Sequence, residues 1–343
     1  MYKRGDAAVL AVEKKVYAQE WCFVSGQISV AEVELLSRAF FVELLRSRDA
    51  DEIYERLSKT RYRSIVPSPR DVEDLSALVD GFFKNEVSAL QPYVPDQTII
   101  DFFFFPEEIR KLRERLLDTA SSERNQIPAI VEEFCLRVPG NFWNLFADVC
   151  SSYLRKAASG AATRREFSLF LDSVALGALS FGWAEALPEG TIRDAVRQYA
   201  RYRLVSVVAR ALQTGATGEQ IVSSLTATPV CRALPKDWEQ RLCAPGGLRQ
   251  AQPSGKLEVP LLGIFGIESR EEIKSPGVLE RIADDAATEI LIGSKHYAFG
   301  PEKVFNYLWA IGIQNKNLRL CVGSVLGKLP ADIIEDKLRR EFV

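Results

Sequence analysis

Histidine and paired cysteines are scarce in this sequence. Its 343 residues include one histidine, His296, and six cysteines, none of which belongs to a C-x-x-C pair. Structural zinc sites take four Cys or His ligands, usually in closely spaced pairs, so this composition disfavours a zinc site. We therefore expect no metal or cofactor site, and we expect the cysteines to be reduced and buried.

The sequence also lacks a large net charge of either sign. Lys and Arg total 44 against 46 Asp and Glu, which gives a net charge of -2. Nucleic-acid-binding domains and basic lipid-surface anchors carry clustered positive charge, and no polybasic run is present here. We therefore expect no nucleic-acid partner.

Long apolar runs are absent as well. A helix that crosses a bilayer needs about 20 consecutive, mainly apolar residues. The most apolar candidate, Val304–Ile313, is cut short by the polar stretch Gln314–Asn317. The first residues, from Met1 to Arg4, lead into mixed polarity rather than into an apolar leader. The chain is expected to lie beside a membrane at most, without spanning it.

What the sequence does contain is helical periodicity along most of its length. Hydrophobic residues make up 47% and charged residues 26%, an ordinary balance for a globular protein with a sizeable core. From Val33 to Leu44, apolar residues recur at i, i+3, i+7 and i+11. The best strand candidate, at 257–267, is weakened by Pro260 and two glycines. We therefore predict an all-α fold.

Three helices are predicted to be longer than the rest. One begins near Pro106, after four phenylalanines expected in the core, one begins at about Thr191, and one runs between Gly300 and Pro330. Their centres lie roughly 95 to 115 residues apart, a spacing that predicts three diverged copies of one helical unit. The predicted units are residues 1–120, 121–216 and 217–343, the last with an irregular loop near 243–260.

The last long helix carries an apolar seam. Gly300 is a predicted N-cap, Pro301 suits the first helical position, and Gly327 marks the end. Gly312 and Gly323 remove side chains where a neighbouring helix could approach closely, at a cost of about 1 kcal/mol each in helix propensity. The predicted seam, with steps of three and four residues, is Val304, Leu308, Ile311, Asn315, Leu318, Val322, Val325 and Leu329.

A polar cluster interrupts this helix near its middle. It consists of Gln314, Asn315, Asn317 and Arg319. Buried without partners, such groups would cost about 1–3 kcal/mol each. Either they face water and make internal hydrogen bonds, or they line a polar cavity that receives a second protein. They are the candidate partner-contact residues of this chain.

Three patterns suggest chemistry, and each has a simpler explanation. The G-S-V-L-G-K-L stretch at Gly323 resembles a P-loop, but its glycines are too close and Leu329 stands where Ser or Thr is required. Asp284 and Asp285 form an isolated acidic pair, expected on a solvated helix face. His296 has no matching nucleophile and is expected to be structural or exposed. We predict no catalytic, cofactor-binding or metal-binding residue. An all-α enzyme using His296 or the aspartate pair is the remote alternative.

Two stretches of the chain resemble one known family. "ELLSRAFFVELLRSRDADEIYERLSKTRY" ends in an L-x-x-T-x-Y pattern. "YAFGPEKVFNYLWAIGIQNKNLRLCVGSVLGKLPADIIEDKLR" contains an FG, an apolar helix with a tyrosine, an N-L-R and an L-P stop. These patterns resemble the C-type subunit of the A/V-type rotary ATPases, which is the counterpart of the d-type subunit in the eukaryotic vacuolar enzyme. The matching residues are Leu57, Thr60, Tyr62, Phe299, Gly300, Tyr307, Asn317, Leu318, Arg319, Leu329 and Pro330.

The resemblance implies a mechanical function rather than a catalytic one. It implies an all-α, funnel-shaped protein of three pseudo-repeated helical units on the cytoplasmic face of the membrane. Such a protein links the central shaft, made of D- and F-type subunits, to the membrane proteolipid ring and transmits torque. It would be a peripheral, single-copy part of a proton- or sodium-translocating ATPase. The alternative is an all-helical repeat scaffold that binds another soluble protein.

Overall fold

The computed structural model describes most of the chain. The described residues are 19–64, 75–122, 124–140, parts of 142–160, 163–226, 230, 234–243 and 276–342. The strand candidate at 257–267 and nearly all of the loop expected at 243–260 lie outside them.

All regular secondary structure in these described residues is helical, which confirms the all-α prediction for them. A π-helical segment, Ala178–Trp183, directly follows the helix Arg164–Gly177 and leads into a short helical turn, Ala184–Ala186. The helices are α1 (19–32), α2 (Arg38–Leu45), α3 (Ala50–Leu57), α4 (Leu75–Leu90), α5 (Gln97–Ser122), α6 (Ile127–Arg137), α7 (Arg164–Gly177), α8 (Thr191–Gln213), α9 (Gly218–Thr226), α10 (Trp238–Cys243), α11 (Pro276–Ile292), α12 (Pro301–Leu326) and α13 (Ala331–Glu335).

The chain divides into two compact units. Unit 1 combines Met1–Phe104 with Thr288–Val343, and unit 2 is Phe105–Ala287. The division falls within α5 and within α11. The division into three repeated units, predicted from helix spacing, stays a prediction.

Unit 1 is built around α12. Gly300 precedes the helix with φ at 119°, a conformation that favours glycine because it has no Cβ, and Pro301 takes the first position. Gly327 is the C-cap, so both predicted ends of the helix are confirmed. Of the 26 residues of α12, 18 are buried, and α2, α3, α4 and α13 pack around it. Such a helix is apolar nearly all round because it forms the centre of a core.

The predicted seam of α12 is buried from Val304 to Val322 and then reaches the surface. Leu329, its last member, is 54% exposed. The close packing expected at Gly323 is wrong, because a Cβ added there meets no atom within 4 Å. A Cβ added to Gly312 would lie 4.0 Å from a ring carbon of Phe83, which is ordinary contact.

Helix α5 begins at Gln97, well before the predicted start at Pro106. The Asp96 carboxylate accepts a hydrogen bond from Thr98 N at 3.0 Å and so begins the helix. Proline inside a helix removes a hydrogen bond and crowds the preceding turn. The helix nevertheless continues through Pro106, because the phenylalanines before it pack into the core in helical conformation, as expected of core residues. The buried ones are Phe102, Phe103 and Phe105.

The apolar periodicity from Val33 to Leu44 spans a turn rather than one helix. α1 ends at residue 32, and the Ser37 hydroxyl caps α2 by accepting from Phe40 N at 3.4 Å. Val33 is 84% exposed, whereas Leu36 is buried. The spacing therefore predicted helical character correctly and continuity incorrectly.

Unit 2 has a core of its own. Its helix α8 begins at Thr191 as predicted, after Gly190 with φ at 96°. Leu204, Val208, Ile221 and Leu279 bring α8, α9 and α11 into one apolar cluster.

One helical stretch of unit 2 has the length and composition of a membrane span. Arg165–Ala186 has a mean hydropathy of 1.4 over its most apolar window, and 72% of that window is buried inside the protein. Because a buried core helix has the same composition, we interpret it as core. The sequence-based candidate, Val304–Ile313, lies in α12 instead.

The described cysteines are free thiols. Cys135 and Cys321 are buried, as expected, whereas Cys22 and Cys243 are exposed. The prediction of buried cysteines is therefore wrong for the second pair.

Candidate functional site

The polar cluster predicted near the middle of α12 lies mostly inside unit 1. Gln314 is 2% exposed, Asn315 4% and Asn317 0%. The side chain of Arg319 is 36% exposed. Three of the four candidate residues therefore meet protein rather than water.

Tyr62 joins the N-terminal helices to α12 through two of these residues. Its hydroxyl donates to Asn315 Oδ1 at 3.0 Å, with Gln314 Oε1 as a longer acceptor at 3.4 Å. The amide of Gln314 donates to the Leu36 carbonyl, and that of Asn315 donates to the Val79 carbonyl, both at 3.2 Å. Each amide thus has a partner for its donor and its acceptor, which removes the cost of burying it.

Arg61, Glu86 and Tyr307 form a charged neighbour to this contact. Arg61 Nη2 lies 2.6 Å from Glu86 Oε2, and the Tyr307 hydroxyl donates to the same oxygen at 2.8 Å. The Arg61 guanidinium also lies 5.5 Å from the centre of the Tyr307 ring. With its charge paired, hydrogen-bonded and stacked on an aromatic face, Arg61 can be 8% exposed in its side chain. We call Arg61, Tyr62, Glu86, Tyr307, Gln314 and Asn315 together the polar joint.

The two tyrosine hydroxyls of the polar joint are shielded from solvent. Burial raises the pKa of the Tyr62 hydroxyl and that of the Tyr307 hydroxyl. Both phenols therefore stay protonated around neutral pH and remain hydrogen-bond donors. This arrangement suits a fixed structural contact better than a proton transfer.

Asn317 fixes a different part of unit 1. Its Nδ2 donates to the Arg339 carbonyl at 3.0 Å and to Glu341 Oε1 at 3.1 Å. Its Oδ1 accepts from the Arg339 backbone N at 2.9 Å. The carboxamide therefore binds both backbone groups of one residue, as a strand neighbour would.

Arg319 reaches the surface of unit 1. Its guanidinium forms an ion pair with Asp80 on α4. Lys303, near the start of α12, likewise pairs with Glu32 at the end of α1. Both pairs add charge contacts along α12. The Arg319–Asp80 pair is exposed, and exposed pairs stabilise a protein by at most about 1 kcal/mol, whereas the side chain of Lys303 is only 11% exposed.

Sequence reasoning missed part of this arrangement. It singled out Tyr62, Tyr307 and the α12 polar residues, but not Arg61 or Glu86. The available signal was weak, since a single Arg or Glu beside an aromatic residue is common on helix surfaces. Their importance comes from contacts between residues far apart in the chain.

The residues singled out for chemistry have surroundings of their own. His296 is exposed, with its ring against that of Tyr297 at 4.8 Å. Asp285 pairs with Arg281 at 2.8 Å. Asp284 is 2% exposed, so the solvated helix face expected for it is wrong.

Two further sequence patterns, the P-loop-like stretch and the metal-ligand residues, can be compared with the structure. The P-loop-like stretch from Gly323 forms the last turns of α12 and its C-cap rather than a loop between strand and helix. Within the described part of the chain, no group of three His, Cys, Asp or Glu side chains could hold a metal ion.

Comparisons with known proteins add no assignment. No protein-family model matches the chain, and no curated protein matches its sequence significantly. The family resemblance therefore depends on the motif residues and on what those residues do in the fold.

Proposed function

We propose that this chain is a non-catalytic coupling component of an A/V-type rotary ATPase. In this role it links the D- and F-type shaft subunits to the membrane proteolipid ring and transmits torque between them. The proposal includes three related helical units arranged as a funnel, at the cytoplasmic face of the membrane. It rests on the resemblance of two separate stretches to one family.

The observation that carries the proposal is that these two stretches form one joint. Tyr62, the last residue of the L-x-x-T-x-Y pattern, donates a hydrogen bond to Asn315, two residues before the N-L-R pattern. In the first pattern, the Thr60 hydroxyl donates to the Leu57 carbonyl at 2.8 Å and accepts from Tyr62 N at 3.2 Å, which orients the tyrosine. A matched residue of the first stretch thus contacts the second stretch directly beside its matched N-L-R pattern, and we take this contact between the two stretches as support for the resemblance.

The mechanical properties of unit 1 also favour the proposal. A part that transmits torque must resist deformation, and close-packed interiors have low compressibility. α12 is a rod about 40 Å long at 1.5 Å per residue, buried along most of its length. Its polar side chains bond to Leu36, to α4 and to the last described residues, so that sliding along its axis would break several hydrogen bonds.

The candidate partner contacts divide accordingly. The amides of Gln314, Asn315 and Asn317 are used within unit 1, so contact between them and a shaft or ring protein stays a prediction. Arg319 is the candidate whose side chain is open enough for a docked protein. We propose it as the partner contact among the four.

Co-purification tests the proposal directly. The full chain is co-expressed with the shaft subunits and, separately, mixed with detergent-solubilised proteolipid ring. We expect stable binding to both, and we expect Arg319→Glu to bind at least about tenfold more weakly, because charge reversal at a desolvated contact is costly. Arg46→Glu, an exposed charge reversal in the same unit, is the control and should bind like the wild type.

The outcomes are distinct. A correctly folded chain that binds neither shaft nor ring refutes the coupling function and favours the helical scaffold for another soluble protein. Binding that Arg319→Glu leaves unchanged keeps the function and removes Arg319 from the contact. Circular dichroism of each variant establishes that the helices are intact.

A further inference from the structure

The last described residues form a strap on α12. Residues 331–342, called the strap here, comprise α13, a turn at 336–337 and the irregular segment after it. Three apolar side chains at intervals of four anchor the strap in unit 1. The Arg38 guanidinium of α2 also donates to the Glu335 carbonyl at 3.1 Å. The buried anchors are Ile334, Leu338 and Phe342, which are 2%, 2% and 7% exposed.

The side chain of Asn317 hydrogen-bonds the strap to α12, and we call this contact the fastening of the strap. Its fully buried carboxamide pairs with both backbone groups of Arg339 and with the Glu341 carboxylate. Because Asn317 lies on the buried central helix, these hydrogen bonds tie the strap to the most firmly packed element of unit 1. A single side chain thus sets the position of the middle of the strap.

The strap buries a much smaller share of its residues than the helix beneath it. α13 has five residues and no side-chain cap, and its last turns are closed by bonds such as Lys337 N to the Ile334 carbonyl at 2.8 Å. Ordering each backbone residue costs conformational entropy, which three apolar anchors and a few hydrogen bonds must offset. α12 buries 18 of its 26 residues. Segments with few buried apolar contacts open locally, at free energies well below that of global unfolding.

A cysteine lies beside the fastening. Cys321 is one helical turn after Asn317, and its thiol donates to the Phe41 carbonyl at 3.6 Å. Burial raises the pKa of the Cys321 thiol to about 12, and the Glu341 carboxylate of the strap adds to this shift. A thiol in this state is unreactive, because the thiolate is the nucleophilic form.

We propose that the strap opens and closes over this face of α12 independently of the unfolding of unit 1, with Asn317 as its latch. Cys321 lies one helical turn from Asn317 on the same face of α12, so opening of the strap increases the access of solvent to its thiol. This inference does not depend on the proposed function.

Hydrogen exchange measured by mass spectrometry on the full chain tests the independent opening. We expect the amides of Lys337, Leu338 and Arg339 to exchange at least about 100-fold faster than those in the first half of α12, when both are corrected for intrinsic rates. Equal protection of strap and helix would mean one cooperative unit, and it would overturn the proposal.

Thiol labelling tests the latch. Iodoacetamide modification is followed on the peptide that contains Cys321, so that the other cysteines do not interfere. Asn317→Ala and Phe342→Ala should each label at least about tenfold faster than the wild type, because each removes one attachment of the strap. Gly323→Ala, a change at an open position on the same helix, should label at the wild-type rate.

Protection of the first half of α12 in each variant distinguishes strap opening from unfolding. Faster labelling with that protection retained supports the latch. Unchanged labelling in both strap variants, or faster labelling only when α12 also loses protection, overturns it.

Discussion

Replacing Tyr62 by phenylalanine removes one hydroxyl from the polar joint and leaves the ring in place. Tyr62 is fully buried, and Asn315 is 4% exposed, so water cannot replace the lost donor. Leaving a buried acceptor unpaired costs about 1–3 kcal/mol, and we expect Tyr62→Phe to lower the free energy of unfolding of unit 1 by that amount. Asn315→Leu should cost a similar amount, because it removes the 3.0 Å acceptor of the Tyr62 hydroxyl and the donor to Val79.

The double variant provides the sharper test. With Tyr62→Phe and Asn315→Leu together, apolar groups of similar size face each other and the main unpaired group is gone. We therefore expect the double variant to lose less free energy of unfolding than the two single variants lose together, by about 1 kcal/mol or more.

Urea unfolding followed by circular dichroism measures these differences. Hydrogen exchange of α12 amides assigns the transition that belongs to unit 1, since two units need not unfold together. Tyr297→Phe is the control, because this tyrosine is 43% exposed and its change should stay within about 0.5 kcal/mol. Additive single effects, within about 0.5 kcal/mol, would refute an energetic contact between Tyr62 and Asn315.

The same variants separate an internal role from a partner contact. If the amide of Asn315 serves unit 1 alone, Tyr62→Phe and Asn315→Leu should both leave binding to the shaft and ring unchanged under conditions in which unit 1 stays folded. If Asn315 also contacts a partner, Asn315→Leu should weaken assembly more than Tyr62→Phe at equal stability. Binding constants measured well below the unfolding transition decide between these outcomes.

Two further predictions concern glycine packing and pH. Gly182→Ala should destabilise unit 2 by about 1–3 kcal/mol, because the added Cβ would lie 2.3 Å from Val138 Cγ1. Gly323→Ala should stabilise unit 1 by up to about 1 kcal/mol, because a Cβ there meets no neighbouring atom and alanine favours a helix more than glycine does. Thermal melts measure both changes, and equal shifts in Tm would contradict the packing argument. Hydrogen bonds from the Arg48 backbone N–H and from the Arg56 and Arg48 side chains lower the pKa of Glu52 to about 2. The ionised carboxylate therefore stabilises the fold at pH values above its unfolded pKa of about 4.3, and this contribution is lost as the pH falls towards 2. The difference in Tm between wild type and Glu52→Gln should therefore shrink between about pH 5 and pH 2, and a difference that is independent of pH would contradict it.

Features set by neighbouring residues in the sequence could be predicted well. The ends of α12 follow from Gly300, Pro301 and Gly327, because caps and first-turn prolines act within a few residues. The start of α8 after Gly190 has the same basis. The all-α class likewise follows from apolar spacing along individual segments.

Features set by tertiary contacts could not be predicted. The proline signal at Pro106 gave the wrong start for α5, because packing of the phenylalanine run outweighs one missing hydrogen bond. The partners of Gln314 and Asn315 lie between 236 and 278 positions away in the chain, at Leu36, Tyr62 and Val79. The spacing on α12 predicted that these amides need partners, but it could not say which ones.

The assembly of unit 1 from both parts of the chain has a consequence for its synthesis. The ribosome completes Tyr62 and Arg61 long before Tyr307 and Asn315, and the whole of unit 2 is made between them. Translation adds about 5–20 residues per second, so α2, α3 and α4 are complete at least about 10 s before α12, around which they pack. During that interval their apolar faces are uncovered, so a nascent chain stalled before residue 300 should be a good substrate for chaperones and proteases.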